Sequence, residues 1–322
     1  MDTTSQIVTV NGGSASLGDV ADRARDFVAH AKASNTLRAY RADWRDFEGW
    51  CSDHGVPSLP AEPETVALYL SDLAGMAKAA TLQRRLSAIS QAHQAAGYES
   101  PTKSSKVRAV WAGIRRVMGT AQQGKAAATT VELRAMVGTL PASLLGKRDR
   151  ALLLLGFAGA FRRSELVGLD VSDVIFNRDG AVVTLRRSKT DQEGQGMKKG
   201  IPYGSSADTC PVRALREWLQ AAAISGGPLF RSVNRHGQVQ ASRLSDKAVA
   251  LVVKRAAKAA SLDAATFAGH SLRAGLATAA AAAGVSERAI MAQTGHKSVN
   301  MVRRYIREGS LFRENAAAAV GL

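Results

Sequence analysis

Four short stretches carry side chains able to act on a phosphate ester. "GAFRRSELVGL" places Arg162 and Arg163 at a helix start, with Glu165 one turn on. "LRRSKTDQ" puts Lys189 at the end of a predicted strand, beside a glycine-rich loop. "GHSLRAGLAT" sets His270 and Arg273 three apart, hence on one helix face. "TGHKSVNMVRRYIR" surrounds Tyr305 with Lys297, Arg303, Arg304 and Arg307, with His296 nine positions ahead of the tyrosine. A phenol with an unperturbed pKa near ~10 is protonated at neutral pH, so as a nucleophile it needs a base or cations nearby. A phosphodiester under attack spreads charge over its non-bridging oxygens, which guanidinium forks match in geometry and sign. Such a site calls for two arginines, a histidine and a general acid for the leaving oxygen, and the chain supplies them. It has no evident carboxylate cluster for magnesium, so the expectation is a site without metal or cofactor.

Taken singly, each part has a plainer reading: Tyr305 as a core residue, His270 as a helix cap, Lys189 as a solubilising strand end, Arg163 as a surface or phosphate-backbone residue. None of these accounts for the order Arg, Lys, His-x-x-Arg, His, Tyr.

That order resembles the tyrosine recombinase (phage integrase) family, and the overall layout resembles its compact, Cre-like branch. The family's first arginine motif, small–apolar–Arg–x–Ser–Glu, is matched by Ala160-Phe161-Arg162-Arg163-Ser164-Glu165. The β-hairpin lysine is matched by Lys189, His-x-x-Arg by His270 and Arg273, the later Gly-His by Gly295-His296, and the nucleophile by Tyr305. The resemblance runs from about Ser34 to the end. Phe161 stands where leucine is usual, and Ala274 where many members carry a histidine.

The resemblance implies a site-specific recombinase acting on short inverted repeats. Tyr305 would attack a phosphate, forming a 3′-phosphotyrosyl link and freeing a 5′-hydroxyl. A partner strand's hydroxyl would reverse the step, so one phosphoester replaces another and no ATP is needed. Arg162 and Arg273 would grip the phosphoryl oxygens. Lys189 would protonate the leaving oxygen, His270 would handle the tyrosine's proton, and His296 would hydrogen-bond the phosphate. Glu165 would orient its neighbours. Two other readings share this chemistry or fold: a type IB topoisomerase-like relaxing enzyme, and a DNA-binding accessory protein that does not cleave. The intact catalytic set argues against the latter.

Composition agrees with a polyanionic partner. The 322 residues hold 43 Lys plus Arg against 27 Asp plus Glu, a formal charge of +16, pointing to nucleic acid first and an anionic membrane second. The charge is uneven: net −5 over residues 1–72, +7 over 73–124 and +14 over 125–322. No apolar run reaches spanning length, and "ALLLLGFAGAF" (151–161) reads as a buried helix. The N-terminus shows no signal-peptide pattern. Cys51 and Cys210 are far apart, arguing against a disulfide framework or zinc site and for a reducing, cytoplasmic setting.

The elements that must position the chemistry follow from periodicity and breakers. A leader over 1–16 precedes an N-terminal helical DNA-binding domain over 17–118, whose helices show apolar residues at steps of three and four, as in Leu37, Tyr40, Trp44, Phe47 and Trp50. Residues 119–130, small and polar, read as a linker, and 131–322 as the catalytic domain. There, β-branched runs around Asp179-Gly180 predict a three-stranded antiparallel sheet. Helices are predicted at about 130–140, 143–160, 210–223, 243–260, 270–283, 286–293, 298–308 and 313–319. The fold class is thus mainly α: a helical domain plus an α+β domain with a small sheet. For DNA contact, "KAATLQRRLSA" offers Lys78, Gln83, Arg84 and Arg85, and "KVRAVWAGIRR" offers Arg108, Arg115 and Arg116. "LSDKAVALVVKRAAKAA" puts Lys247, Lys254, Arg255 and Lys258 on a helix similar to the family's second groove-reading element. The plainer reading of all three is a basic face drawn to phosphates. The end of the chain, "SLFRENAAAAVGL", is apolar-rich, and the resemblance suggests that it docks on a neighbouring protomer in a tetramer assembled on two DNA sites from free monomers or weak dimers.

Overall fold

The computed structural model describes residues 16–30, 32–120, 124–186, 188 and 196–309. They fall into two compact units, one within 1–122 and the other within 123–322. Lys189 and the predicted helix at 313–319 lie outside the described residues.

The first unit is helical: α1 (Leu17–His30), α2 (Ser34–Asp53), α3 (Pro63–Asp72), α4 (Ala79–Ala95) and α5 (Ser105–Met118). Pro63 opens α3 at a position where a missing N–H costs nothing. Ser104 caps α5 by accepting from Val107 N. Phe47, Val66, Leu70, Leu82 and Ile89 are fully buried and share one core with Val107 and Ile114. Burial of each large side chain contributes roughly 1.5–3 kcal/mol. His93 is buried among them, its Nε2 accepting from Ala61 N at 2.9 Å while Nδ1 donates to Ile89 O.

The second unit begins with α6 (Thr130–Gly138), α7 (Leu144–Ala158) and α8 (Arg163–Gly168). β1 (Val174–Phe176), β2 (Gly180–Leu185) and β3 (Met197–Pro202) then form the predicted three-stranded antiparallel sheet, in the order β1-β2-β3. The β1–β2 turn is closed by Asn177 Oδ1, which accepts from the N–H groups of Asp179 and Gly180. Gly180 has φ of +153°, and a Cβ there would lie 2.1 Å from Ile201 O, so the turn beside β3 admits only glycine. Next come α9 (Pro211–Ala221), β4 (Arg231–Val233), β5 (Val239–Arg243), α10 (Asp246–Ala259), α11 (His270–Ala282), α12 (Glu287–Thr294) and α13 (Val299–Gly309). The second half of α7, from Ala151, is apolar on every side, and Leu152, Leu153, Leu154 and Leu155 are all buried, with α9 and α11 packed against the helix. Trp218 on α9 donates from Nε1 to Leu229 O at 2.9 Å.

The β4–β5 hairpin has no counterpart in the periodicity. Its strands are short and lie half-buried or exposed, so they lack the alternation that marks a strand. Arg243 at its end donates to Val167 O and Leu169 O and pairs with Asp170. Arg243 therefore belongs to β5, and α10 begins only at Asp246, after the Ser245 cap.

Candidate active site

The site gathers where α7 ends. The chain turns there through Ala160, whose left-handed φ of 47° is sterically costly for a residue with a Cβ. Two residues later Arg162 stands at the N-cap of α8. Glu165, on the first turn of α8, accepts from Arg162 N at 2.8 Å and from Arg162 Nη1 at 2.5 Å. The carboxylate is 3% exposed and the arginine side chain 20% exposed, so a buried anion fixes a partly open cation.

Arg273, on the first turn of α11, is buried at 1% exposure. Its Nη1 donates to Ala160 O at 2.8 Å, and its Nη2 is buried without a hydrogen-bond partner among the described residues. Burial and the neighbouring Arg162 charge pull its pKa down to about 10. A guanidinium held this way lacks an acceptor, and an anionic oxygen would supply one.

His270 opens α11, and its Nε2 lies 2.9 Å from Tyr305 Oη on α13. Desolvation, then the charges of Arg273, Arg162 and Arg163, lower its pKa from 6.5. It is therefore neutral near pH 7 and able to accept a proton. His296 is buried at 8% exposure, just past the left-handed Gly295 that ends α12. Its ring stacks on that of Tyr305 with centroids 5.9 Å apart. The Thr294 hydroxyl donates to Ile290 O at 2.7 Å, so it accepts from Nδ1–H of His296 at 2.8 Å. Burial, followed by the charges of Arg273 and Arg162, drives His296 down to about 4.

Arg162, Glu165, His270, Arg273, His296 and Tyr305 are thus brought together from four places in the chain. Arg163 stands beside them, 3.8 Å from Asp246, its stem against Gly269. One cation at this site escaped the sequence reading. Lys199 on β3 is 2% exposed and donates from Nζ to Gly159 O at 2.7 Å. The signal was present in the period-two pattern, which puts residue 199 on the same inward face as Ile201.

The basic residues proposed for DNA contact divide. Lys78, Gln83, Arg108, Arg115, Arg116, Lys247, Lys254 and Lys258 are exposed, Arg115 lying over the Trp111 ring. Three others pair with acidic residues of their own units, although Arg84 and Arg255 remain about half exposed, at 48% and 55%. Arg84 makes a two-pronged pair with buried Asp43, at 2.7 and 3.0 Å. Arg85 is 15% exposed and donates to Tyr69 Oη and Asp46, at 2.9 Å each. Arg255 pairs with Asp149, which is 2% exposed and also holds Arg148. A helical wheel turns these arginines outward, and acidic partners on other helices hold their heads.

Residues 128–310 match the phage integrase family, and residues 27–99 match the N-terminal SAM-like domain of phage integrases. The chain belongs to the phage integrase family, the tyrosine recombinases. It is 47% identical over 298 residues to the integrase/recombinase xerD homolog of Selenomonas ruminantium, covering 91% of this chain and 87% of that one. Identity to the recombinase cre of Escherichia phage P1 is 26%, over 86% of this chain and 85% of the other. Among solved structures, a lambda integrase tetramer bound to a Holliday junction superposes with a TM-score of 0.59 at 21% identity, covering 95% of this chain and 80% of that one. Among the described residues, no helix is long and apolar enough to cross a membrane.

Proposed function

We propose that this member of the family is a site-specific DNA recombinase that cuts and rejoins strands through Tyr305. The observation that carries the reading is the 2.9 Å contact of His270 Nε2 with Tyr305 Oη, beside a buried Arg273 whose Nη2 has no partner among the described residues. The tyrosine oxygen bonds to phosphorus, His270 takes its proton, and the bond from phosphorus to the 5′-oxygen breaks. Arg162 and Arg273 hold the non-bridging oxygens while charge builds on them. Lys189 supplies the proton to the leaving 5′-oxygen, which departs as a hydroxyl. His296 donates a hydrogen bond from Nδ1–H to the Thr294 hydroxyl, so its Nε2 donates to the phosphate only when the ring is protonated. A bound anion favours that form by offsetting the arginine charges that suppress it.

The DNA partner is duplex, gripped through the exposed lysines and arginines named above. We place the work on DNA in the cytoplasm, with four protomers acting on two sites. A cavity of about 440 Å³ supports that assembly; it is lined by Leu133, Leu154, Phe157, Leu276, Val285 and Ile290, among others. The apolar-rich segment 310–322 of a neighbouring protomer is the occupant we assign to it. On this division, residues 17–118 form the core DNA-binding domain, 119–130 the linker and 131–322 the catalytic domain.

Selection of bound duplexes from a random library tests the site, and an inverted repeat around a short spacer is expected. A supercoiled plasmid bearing two such sites then tests the reaction. Deletion or inversion supports recombination, relaxation alone a topoisomerase, and binding alone an accessory factor. Truncation after Ser310 should leave DNA binding by single protomers intact and abolish assembly.

A further inference from the structure

Three successive carbonyls at the end of α7 are each held by a side chain from a different element. Ala158 O accepts from Gln293 Nε2 of α12 at 2.7 Å, Gly159 O from Lys199 Nζ of β3 at 2.7 Å, and Ala160 O from Arg273 Nη1 of α11 at 2.8 Å. Gln293 Nε2 also reaches Gly200 O of β3 at 3.2 Å. A helix C-terminus ends in unpaired carbonyls and carries partial negative charge, so it draws cations.

The unusual member of this set is Lys199. Packing alone would be served by an apolar residue at an inward strand position, yet a lysine stands there at 2% exposure. Among the described residues it makes no ion pair. Its Nζ lies 4.9 Å from the centroid of the Phe161 ring. That ring folds over Gly159, where a Cβ would meet it at 2.0 Å. Phe161 is one of the two departures from the family motif, and here its face covers the buried ammonium. Burial, then Arg273 and Arg162, bring Lys199 down to about 8, with Glu165 acting in the opposite direction. At neutral pH the charge is retained.

We propose that Lys199 is a positioning residue for strand cleavage: held between Gly159 O and the Phe161 ring, its ammonium fixes the corner from which Arg162 and Arg273 are presented and adds positive charge beneath the phosphate they bind. The inference rests on the recombinase reading above. It assigns Lys199 no contact with the reacting atoms, since the side chain is enclosed.

The test uses the full chain and a nicked oligonucleotide carrying the selected site, on which cleavage traps the covalent Tyr305 product. Trapping rate and DNA affinity are measured between pH 6.5 and 9.5 for wild type, K199M, K199Q and K199R. At pH 7 we expect K199M and K199Q to trap about 10- to 100-fold more slowly, with affinity within about twofold, and K199R to recover most of the rate. The groups facing Lys199 (Arg162, Glu165, Arg273 and His296) are common to all variants, so the ratio of wild type to K199M isolates the lysine's charge. That ratio should shrink above about pH 8, where wild type loses the same charge. A ratio constant across pH would mean packing alone and overturn the proposal, as would wild-type trapping by K199Q. Should K199M not fold, K199Q, which keeps a donor for Gly159 O, decides the matter. Absence of any Tyr305-linked product from wild type would instead defeat the recombinase reading itself.

Discussion

Glu165 receives both the backbone N–H and the guanidinium of Arg162, at 2.8 and 2.5 Å, from a buried position one turn into α8. The same carboxylate closes the start of the helix and aims the arginine. Helix capping and the aim of the Arg162 guanidinium are therefore coupled in one side chain.

Glu165→Ala removes both contacts. Cleavage of a nicked site should slow by about 10- to 100-fold through loss of Arg162 alignment, and stability should fall by about 1–3 kcal/mol from the lost buried bonds. Glu165→Gln, which keeps an acceptor for the backbone N–H, should recover most of the stability and only part of the rate. Denaturant melts alongside single-turnover trapping separate the two.

Tyr305→Phe should abolish the covalent product while leaving DNA affinity within a few-fold, because the ring keeps its stacking on His296. His270→Ala should lower the cleavage rate by about 10²–10⁴-fold. Gel-shift titration and denaturing electrophoresis of the trapped product check both. Equal cleavage by the phenylalanine variant would falsify the assignment of the nucleophile.

The two histidines respond to acid in a defined direction. Both are lowered from 6.5 in the folded state, so the unfolded chain binds protons first as pH falls. Stability present above pH 6.5 should decline as pH falls from there through about 4, where His296 titrates in the folded protein. The His296 contribution is at most about 3 kcal/mol, and His296→Asn should flatten the decline seen in thermal melts. For cleavage, the acid limb of kcat/KM, which reports the free enzyme, should lie below 6.5 because His270 stays neutral there.

Arg85 and Lys254 should behave oppositely despite their equal charge. Arg85→Ala removes one partner each of Asp46 and Tyr69, which keep the 2.6 Å bond between them, and should reduce stability by about 1–3 kcal/mol. Lys254→Ala should leave stability unchanged, weaken binding across sequences, and reduce the salt slope of log K by about 1. Salt titrations of DNA binding and urea melts give both readouts.

Gly275 lies two positions past Arg273, and a Cβ there would stand 1.9 Å from Ala128 O. Ala128 N also donates to Ser271 O at 3.0 Å, so this segment braces α11 just where it presents the arginine. Gly275→Ala should cost about 1–3 kcal/mol through overpacking and slow cleavage, with DNA affinity nearly unchanged.

The sequence by itself determined the cast and much of the scaffold. Arg162, His270, Arg273, His296 and Tyr305, which the fold brings together, stand out because a nucleophile, a base and a phosphate clamp would require those residue types. Three-and-four spacing marked the main helices, and Asp179-Gly180 marked the hairpin, because these are local rules of backbone geometry. Only the tertiary structure decided where the charges go. Arg84 lies 41 residues from Asp43 and Arg255 106 from Asp149, so no local pattern could show that acidic partners hold them. The β4–β5 hairpin stayed hidden because its strands bury too little to alternate. The period-two pattern of β3 puts Lys199 on the inward face, but not what it meets there. Whether a lysine faces water or a helix end depends on what the rest of the chain brings within a few ångströms, and burial of a charge is settled by those neighbours.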